Sequence, residues 1–325
     1  MESLLFALNA TMPIVLGIAL GYLIKKAGIM TVSTAHAVNK IVFTVLLPAM
    51  LFLNIYSIND LGSLSFNYIW YVLSITVLLF LVFIPVVNLF FKQRNQRGVV
   101  LQSIFRSNYA LIGIPLATAL FAEEGAATAS LLAAFIIPVF NILAVICLSI
   151  FSDEEKPSVK KILLNILKNP LIVGVACGLV VLAFRALFVK IDVDFRLSDI
   201  TVIFKVMEGL SAAATPMALL ALGAQFEFSA IPALKKQIIF GVSLRCFFIP
   251  VSTLAIAYFM GIFNGANFAA FVAMFATPVA VSSVPMCQSM GADYKLAGQL
   301  VVWTTLISSV VIFLCSFVLK LLGVF

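Results

Sequence analysis

Long apolar runs follow one another along most of the chain, separated by short polar or turn-forming segments. A helix needs about 20 apolar residues to cross a bilayer. Runs of that kind predict ten helices, near residues 8–27, 36–57, 66–90, 98–121, 126–151, 169–188, 202–224, 237–260, 266–290 and 296–322. Turn or charge signals stand between them: Asn59-Asp60-Leu61-Gly62, Lys92 to Arg97, Glu123-Glu124-Gly125, and Gly261 to Asn267. The longest polar stretch, Ser152 to Lys168, contains Asp153-Glu154-Glu155-Lys156-Pro157 and predicts a linker between two halves, residues 1–151 and 169–325.

Composition explains why these runs must face lipid. Of 325 residues, 63% are apolar and 10% charged, against roughly half and a quarter in soluble proteins. The 20 Lys and Arg and 13 Asp and Glu cannot clothe a soluble fold of this length. A soluble enzyme, a disordered chain and a nucleic-acid binder are excluded; the lipid bilayer is the partner. The five cysteines, Cys147, Cys177, Cys246, Cys287 and Cys315, fall inside apolar runs without CxxC spacing, so neither a metal site nor a cofactor is predicted. Met1-Glu2-Ser3 lacks the basic start of a cleavable signal peptide. The single histidine, His36, has no HExxH around it, which leaves a hydrolytic site without a base and predicts that the protein is not an enzyme.

Charge then sets orientation. Loops on one side carry Lys25 and Lys26; Lys92, Arg94 and Arg97; Lys156, Lys160, Lys161 and Lys168; Lys235, Lys236 and Lys295. The loops opposite lack basic residues apart from the stretch Arg185 to Lys205. The positive-inside rule predicts a multi-pass protein of the cytoplasmic membrane, with the linker inside and both termini outside.

The two halves share a pattern. Pro13, Gly17, Ala19 and Gly21 match Pro170, Gly174, Ala176 and Gly178 as PxxxGxAxG, at an offset of 157. Pro48 matches Pro216 at 168, and Pro115 matches Pro285 at 170. Five helices per half is an odd number, so the second copy enters the membrane upside down, as in many secondary transporters.

Polar residues interrupt the fourth and ninth predicted helices. Arg106-Ser107-Asn108-Tyr109 precedes Gly113 and Pro115; Thr277-Pro278 and Ser282-Ser283 precede Pro285. Proline removes a backbone donor, so both stretches are expected to unwind, with Asn108 seven residues before Pro115 and Pro278 seven before Pro285. Unwound backbone at mid-membrane must be buried or line an aqueous cavity. Half-helix N-termini there suit an anion. The candidate substrate-binding residues are Asn108, Arg106, Tyr109, Gly113, Thr277, Ser282, Ser283, Gln288 and Asn141; Pro115, Pro278 and Pro285 mark the crossing. Arg106 has two readings, a fork for a carboxylate or a side chain snorkelling to the interface. Lys40, Glu208 and Arg245 read as interfacial. The absence of a deep carboxylate in helices three, four, five, nine and ten argues against an Asp/Glu proton relay. A proton or a sodium ion remains an open choice of coupling ion, and a homodimer is one arrangement open to the chain.

These residues carry a resemblance. Arg106 to Leu116 resembles the helix-four signature of the auxin efflux carrier family, and Leu47-Pro48-Ala49-Met50-Leu51-Phe52, Asn169-Pro170-Leu171, Pro216 to Gly223, Thr277-Pro278 and Thr304 to Ser308 extend it over nearly the whole chain. The resemblance implies an all-α fold of ten transmembrane helices in two inverted five-helix repeats, with helices four and nine broken and crossing. The same fold is seen in bile acid:sodium symporters. It implies a scaffold of helices 1, 2, 6 and 7 and a transport domain of helices 3–5 and 8–10. It also implies organic-anion substrates, auxin in plants and malate or malonate for bacterial members. The short linker departs from the plant carriers and is similar to the small bacterial form. The function expected is a permease for small carboxylates working by alternating access; the alternative is a sodium-coupled symporter, and a membrane sensor or enzyme ranks below both.

Overall fold

A computed structural model describes residues 2–57, 67–152, 159–190, 196–263 and 265–324. The turn at Asn59 to Gly62 and the acidic run Asp153 to Pro157 lie outside those residues. The elements are α1 (Glu2–Lys26), α2 (Val32–Ile41), α3 (Leu47–Tyr56), α4 (Asn67–Phe90), α5 (Arg94–Phe105), α6 (Ile114–Ile150), α7 (Val159–Lys168), α8 (Pro170–Lys190), α9 (Thr201–Gln225), α10 (Ile231–Ser243), α11 (Ile249–Met260), α12 (Gly265–Phe275), α13 (Ser283–Ser289) and α14 (Tyr294–Leu321). Among the described residues, extended pairing is confined to one isolated antiparallel bridge, Ser107 with Val279.

The molecule is an all-helical polytopic membrane protein. Each of the ten segments that the apolar pattern marks contains helix, the fourth and ninth with a break. By length and composition, however, six continuous runs qualify as spans, and a seventh if the bent pair α7–α8 is counted as one. The number is smaller partly because α12 and α13 are short pieces on either side of a break, and because α6 runs through two predicted segments.

Within α6 the backbone leaves helical geometry at Phe121 and at Ala122, whose φ of 44° is the one positive value at a non-glycine among the described residues. A Cβ built on Gly125 would overlap the carbonyl of Ala117, eight residues earlier, where a straight helix would separate them by about 12 Å. The chain therefore doubles back as a hairpin. Its turn sits just before Glu123 and Glu124, which become the exposed first turn of the returning helix, where acidic side chains favour the helix dipole.

Three π-helical turns, Val42–Leu46, Tyr109–Gly113 and Leu244–Phe248, each end two residues before a proline, Pro48, Pro115 and Pro250. Proline has no N–H and crowds the carbonyl four residues back, so the turn before it widens. Ile114 N–H accordingly reaches Tyr109 O, and Ile249 N–H reaches Leu244 O.

The repeated glycines are contact points. α1 packs on α9 and α3 on α8. Gly17 and Gly21 of the first motif face Leu219 and Leu220 of α9, while Gly174 and Gly178 of the second face Pro48, Phe52 and Ile55 of α3. A Cβ on Gly174 would lie 2.6 Å from Pro48 O, and one on Gly223 would overlap Ile18 O. Gly223→Leu is therefore expected to lower stability by about 1–3 kcal/mol through overpacking. Gly209→Leu on the same helix, where a Cβ meets nothing within 4 Å, is the neutral control; detergent-solubilised unfolding midpoints check both.

Basic residues gather at one end of the molecule. Arg94 donates to Ile150 O (2.9 Å) and Ser152 O (3.2 Å), and Lys236 donates to Phe90 O (2.8 Å) while lying over the Phe90 and Phe91 rings. Both residues belong to helix, not loop. α5 starts at Arg94 and α10 at Ile231, earlier than the predicted 98 and 237, because long cationic side chains can stay in a helix and still reach the polar end. The predicted linker is also partly helical: Val159–Lys168 forms amphipathic α7, bent 62° from α8.

Candidate functional site

Two helical pairs are interrupted at mid-chain depth. After α5, Arg106 to Asn108 are non-helical before the π turn Tyr109–Gly113; after α12, the chain is non-helical from 276 to 282 before α13. The two breaks cross and pair through backbone. Asn108 N–H donates to Pro278 O at 2.8 Å, Ala280 N–H donates to Arg106 O at 3.4 Å, and Thr304 Oγ1 of α14 accepts from Val279 N–H at 3.1 Å. The matched positions Asn108 and Pro278 are thus bonded to each other. Of the three prolines, only Pro278 lies in a break. Pro285 lies in the first turn of α13, where a missing N–H costs little, and Pro115 comes two residues after the π turn Tyr109–Gly113.

Beside the crossing lies a cavity of about 50 Å³. One wall comes from the crossing and α6 (Arg106 to Leu111, Asn141, Ala280 to Ser282), the other from α3, α8 and α9 (Met50, Leu171, Thr215, Ala218). The second wall is almost wholly apolar. The polar atoms converge from the first.

Arg106 is 3% exposed. Its Nη2 donates to Asn141 Oδ1 (2.9 Å) and Ser282 Oγ (3.0 Å), and its Nη1 donates to Gln102 Oε1 (3.4 Å) and meets Met286 Sδ (2.9 Å). Every partner is neutral. A buried guanidinium with no carboxylate keeps its charge unbalanced, at a site where low dielectric magnifies it. The snorkelling reading is corrected: α5 begins four residues before the predicted start, and Arg106 lies at its inner end. Asn108 contributes a second open group, because its buried Nδ2 has no hydrogen-bond partner. The helical run that starts at Tyr109 begins beside the cavity, which Tyr109, Ala110 and Leu111 line, and the first N–H groups of such a run lack intrahelical acceptors.

The predicted residues therefore divide. Arg106, Asn108, Asn141 and Ser282 come together at the cavity. Tyr109 lines it, but its hydroxyl is committed to Ala129 O at 3.1 Å. Gly113 packs instead against α12, where a Cβ would lie 2.9 Å from Ala273 O. Thr277 turns its hydroxyl to Ala273 O at 2.7 Å, and Ser283 is buried away from the cavity.

Gln288 lies elsewhere too, joining α13 to α2: its Oε1 accepts from Asn39 Nδ2 (2.9 Å) and its Nε2 donates to His36 O (3.4 Å). It lines a larger cavity, about 650 Å³, with Lys168 and Asn169 at the basic end. Pro170 of that cavity adjoins Leu171 of the smaller one.

Two participants escaped sequence reasoning. Gln102 stands one helical turn before Arg106, a spacing that places both on one face and could have flagged it. Arg245, read as interfacial, is 1% exposed and bonded only to backbone carbonyls. Among the described residues, no group of three or more His, Cys, Asp or Glu could hold a metal.

A family model described as membrane transport protein matches residues 6–316. No curated protein matches the chain.

Proposed function

The chain belongs to the auxin efflux carrier family of membrane transport proteins, and on that premise we propose that it is a secondary transporter of small organic anions, carboxylates such as malate or malonate, across the cytoplasmic membrane. The observation that carries the reading is the buried, uncompensated guanidinium of Arg106 beside a cavity, with the unpartnered Asn108 amide next to it. A carboxylate would accept from both and neutralise the charge. Substrate binding would then return some of the free energy spent in burying Arg106. One cation matches one carboxylate at the crossing. A dicarboxylate would direct its second group toward the larger cavity, where Lys168 stands.

Alternating access is supported by where the walls come from. The packing of α1, α3, α8 and α9 on one another supports a scaffold built from the first, second, sixth and seventh of ten spans. The crossing helices with their neighbours α4, α6, α10 and α14 would form the moving transport domain, related half to half as inverted repeats. The reciprocal glycine contacts of α1 with α9 and α8 with α3 support that symmetry. The basic end, with its larger cavity, would face the cytoplasm. A sodium-coupled symporter is the second reading, since transporters with broken helices hold sodium on unwound backbone carbonyls, although those of Ile104, Met274 and Thr277 are bonded to Arg245.

Uptake into proteoliposomes tests the anion assignment. Labelled malonate, malate and monocarboxylates of similar size should compete for one saturable pathway, and the neutral diamide of malonate should neither enter nor compete. Equal uptake of the diamide, or no saturable uptake of any carboxylate, would overturn it.

A further inference from the structure

We infer that Arg245 is a built-in cation, filling an oxygen cage at the helix crossing in place of an exchangeable metal ion. α5 and α12 both end at this point, and the carbonyls of Ile104, Met274 and Thr277 turn toward it. The last carbonyls of a helix have no intrahelical donors, and each helix end carries about half a negative charge. Two ends therefore demand about one positive charge. Arg245 supplies it from the π turn Leu244–Phe248, near the middle of the span Phe228–Met260. Its Nε donates to Thr277 O (2.9 Å), Nη2 to Thr277 O (2.7 Å) and Met274 O (2.9 Å), and Nη1 to Ile104 O (3.2 Å). Among the described residues no carboxylate is paired with it.

The two buried arginines are consequently opposite in kind. Arg106 faces neutral side-chain acceptors beside the cavity and is left with charge to offer a ligand. Arg245 faces backbone carbonyls that already balance it. Unwound carbonyls and half-helix C-termini are the groups with which secondary transporters coordinate sodium. Here the cage is occupied covalently, so no ion needs to enter or leave it during a transport cycle. The inference rests on reading the crossing as the transport site, and it assigns that site independence from a coupling cation at this cage.

The test is cation dependence in wild type, Arg245→Ala and Arg245→Lys. Replacing sodium and potassium by N-methylglucamine should leave wild-type carboxylate uptake unchanged. Uptake by R245A should fall about tenfold or more, and millimolar guanidinium or sodium chloride should restore part of it. The same salts should raise the thermal unfolding midpoint of purified R245A but not of wild type. That shift is read without any substrate, so its outcome is separate from whether carboxylates are the cargo. Sodium-dependent wild-type uptake, R245A as active as wild type without small cations, or an R245A midpoint insensitive to guanidinium and sodium would each overturn the inference. If R245A is not recovered from membranes, R245K decides: cation-independent uptake supports the cage, and sodium-stimulated uptake overturns it.

Discussion

Arg106→Gln is expected to weaken carboxylate binding by about 10- to 100-fold, the loss typical of removing a charge-assisted, bidentate donor from a buried site. The effect should appear first in the concentration dependence of uptake. Gln keeps a donor near Asn141 and Ser282, so the local network can reform while the charge is gone. Arg106→Lys separates charge from shape: a point cation restores part of the affinity, and the planar fork accounts for the rest. If half-saturation for malonate is the same in wild type and Arg106→Gln, the assignment of Arg106 to the anion is wrong.

Asn108→Ala should move stability and affinity in opposite directions. In the free protein the Asn108 Nδ2 is buried and unpartnered, a state that costs about 1–3 kcal/mol. Removing the amide relieves that cost and leaves the backbone bond to Pro278 O intact. The unliganded unfolding midpoint should rise or hold, while carboxylate affinity falls about 5- to 30-fold. A purely structural asparagine would do the reverse, losing stability and leaving affinity unchanged. Parallel thermal-shift and uptake measurements distinguish the two.

Much of the crossing was legible because proline and polar residues are rare enough in apolar runs to be informative. Matching the two halves pairs Asn108 with Pro278, and a backbone bond joins the same two residues. The depth of the two arginines was less legible. Lysine and arginine read as loop ends, yet Arg94 opens α5 and Lys236 sits in the second turn of α10, and both reach main-chain carbonyls. Moving those helix starts outward moves Arg106 and Arg245 inward. The hydroxyls of Thr277 and Ser283 illustrate a different limit. Spacing places them at the crossing, but which way each side chain turns depends on packing against α12 and α14, which periodicity does not encode. The amphipathic α7 was missed because its polar face and its neighbours read as linker.

The bonds that join the two breaks run from backbone to backbone: Asn108 N–H to Pro278 O and Ala280 N–H to Arg106 O. Such bonds survive a change of side chain. Side chains around the cavity can therefore change without dismantling the frame that holds the two breaks together. Substitutions at Arg106, Asn108, Asn141 or Ser282 would reshape the cavity wall while the crossing itself stays in place.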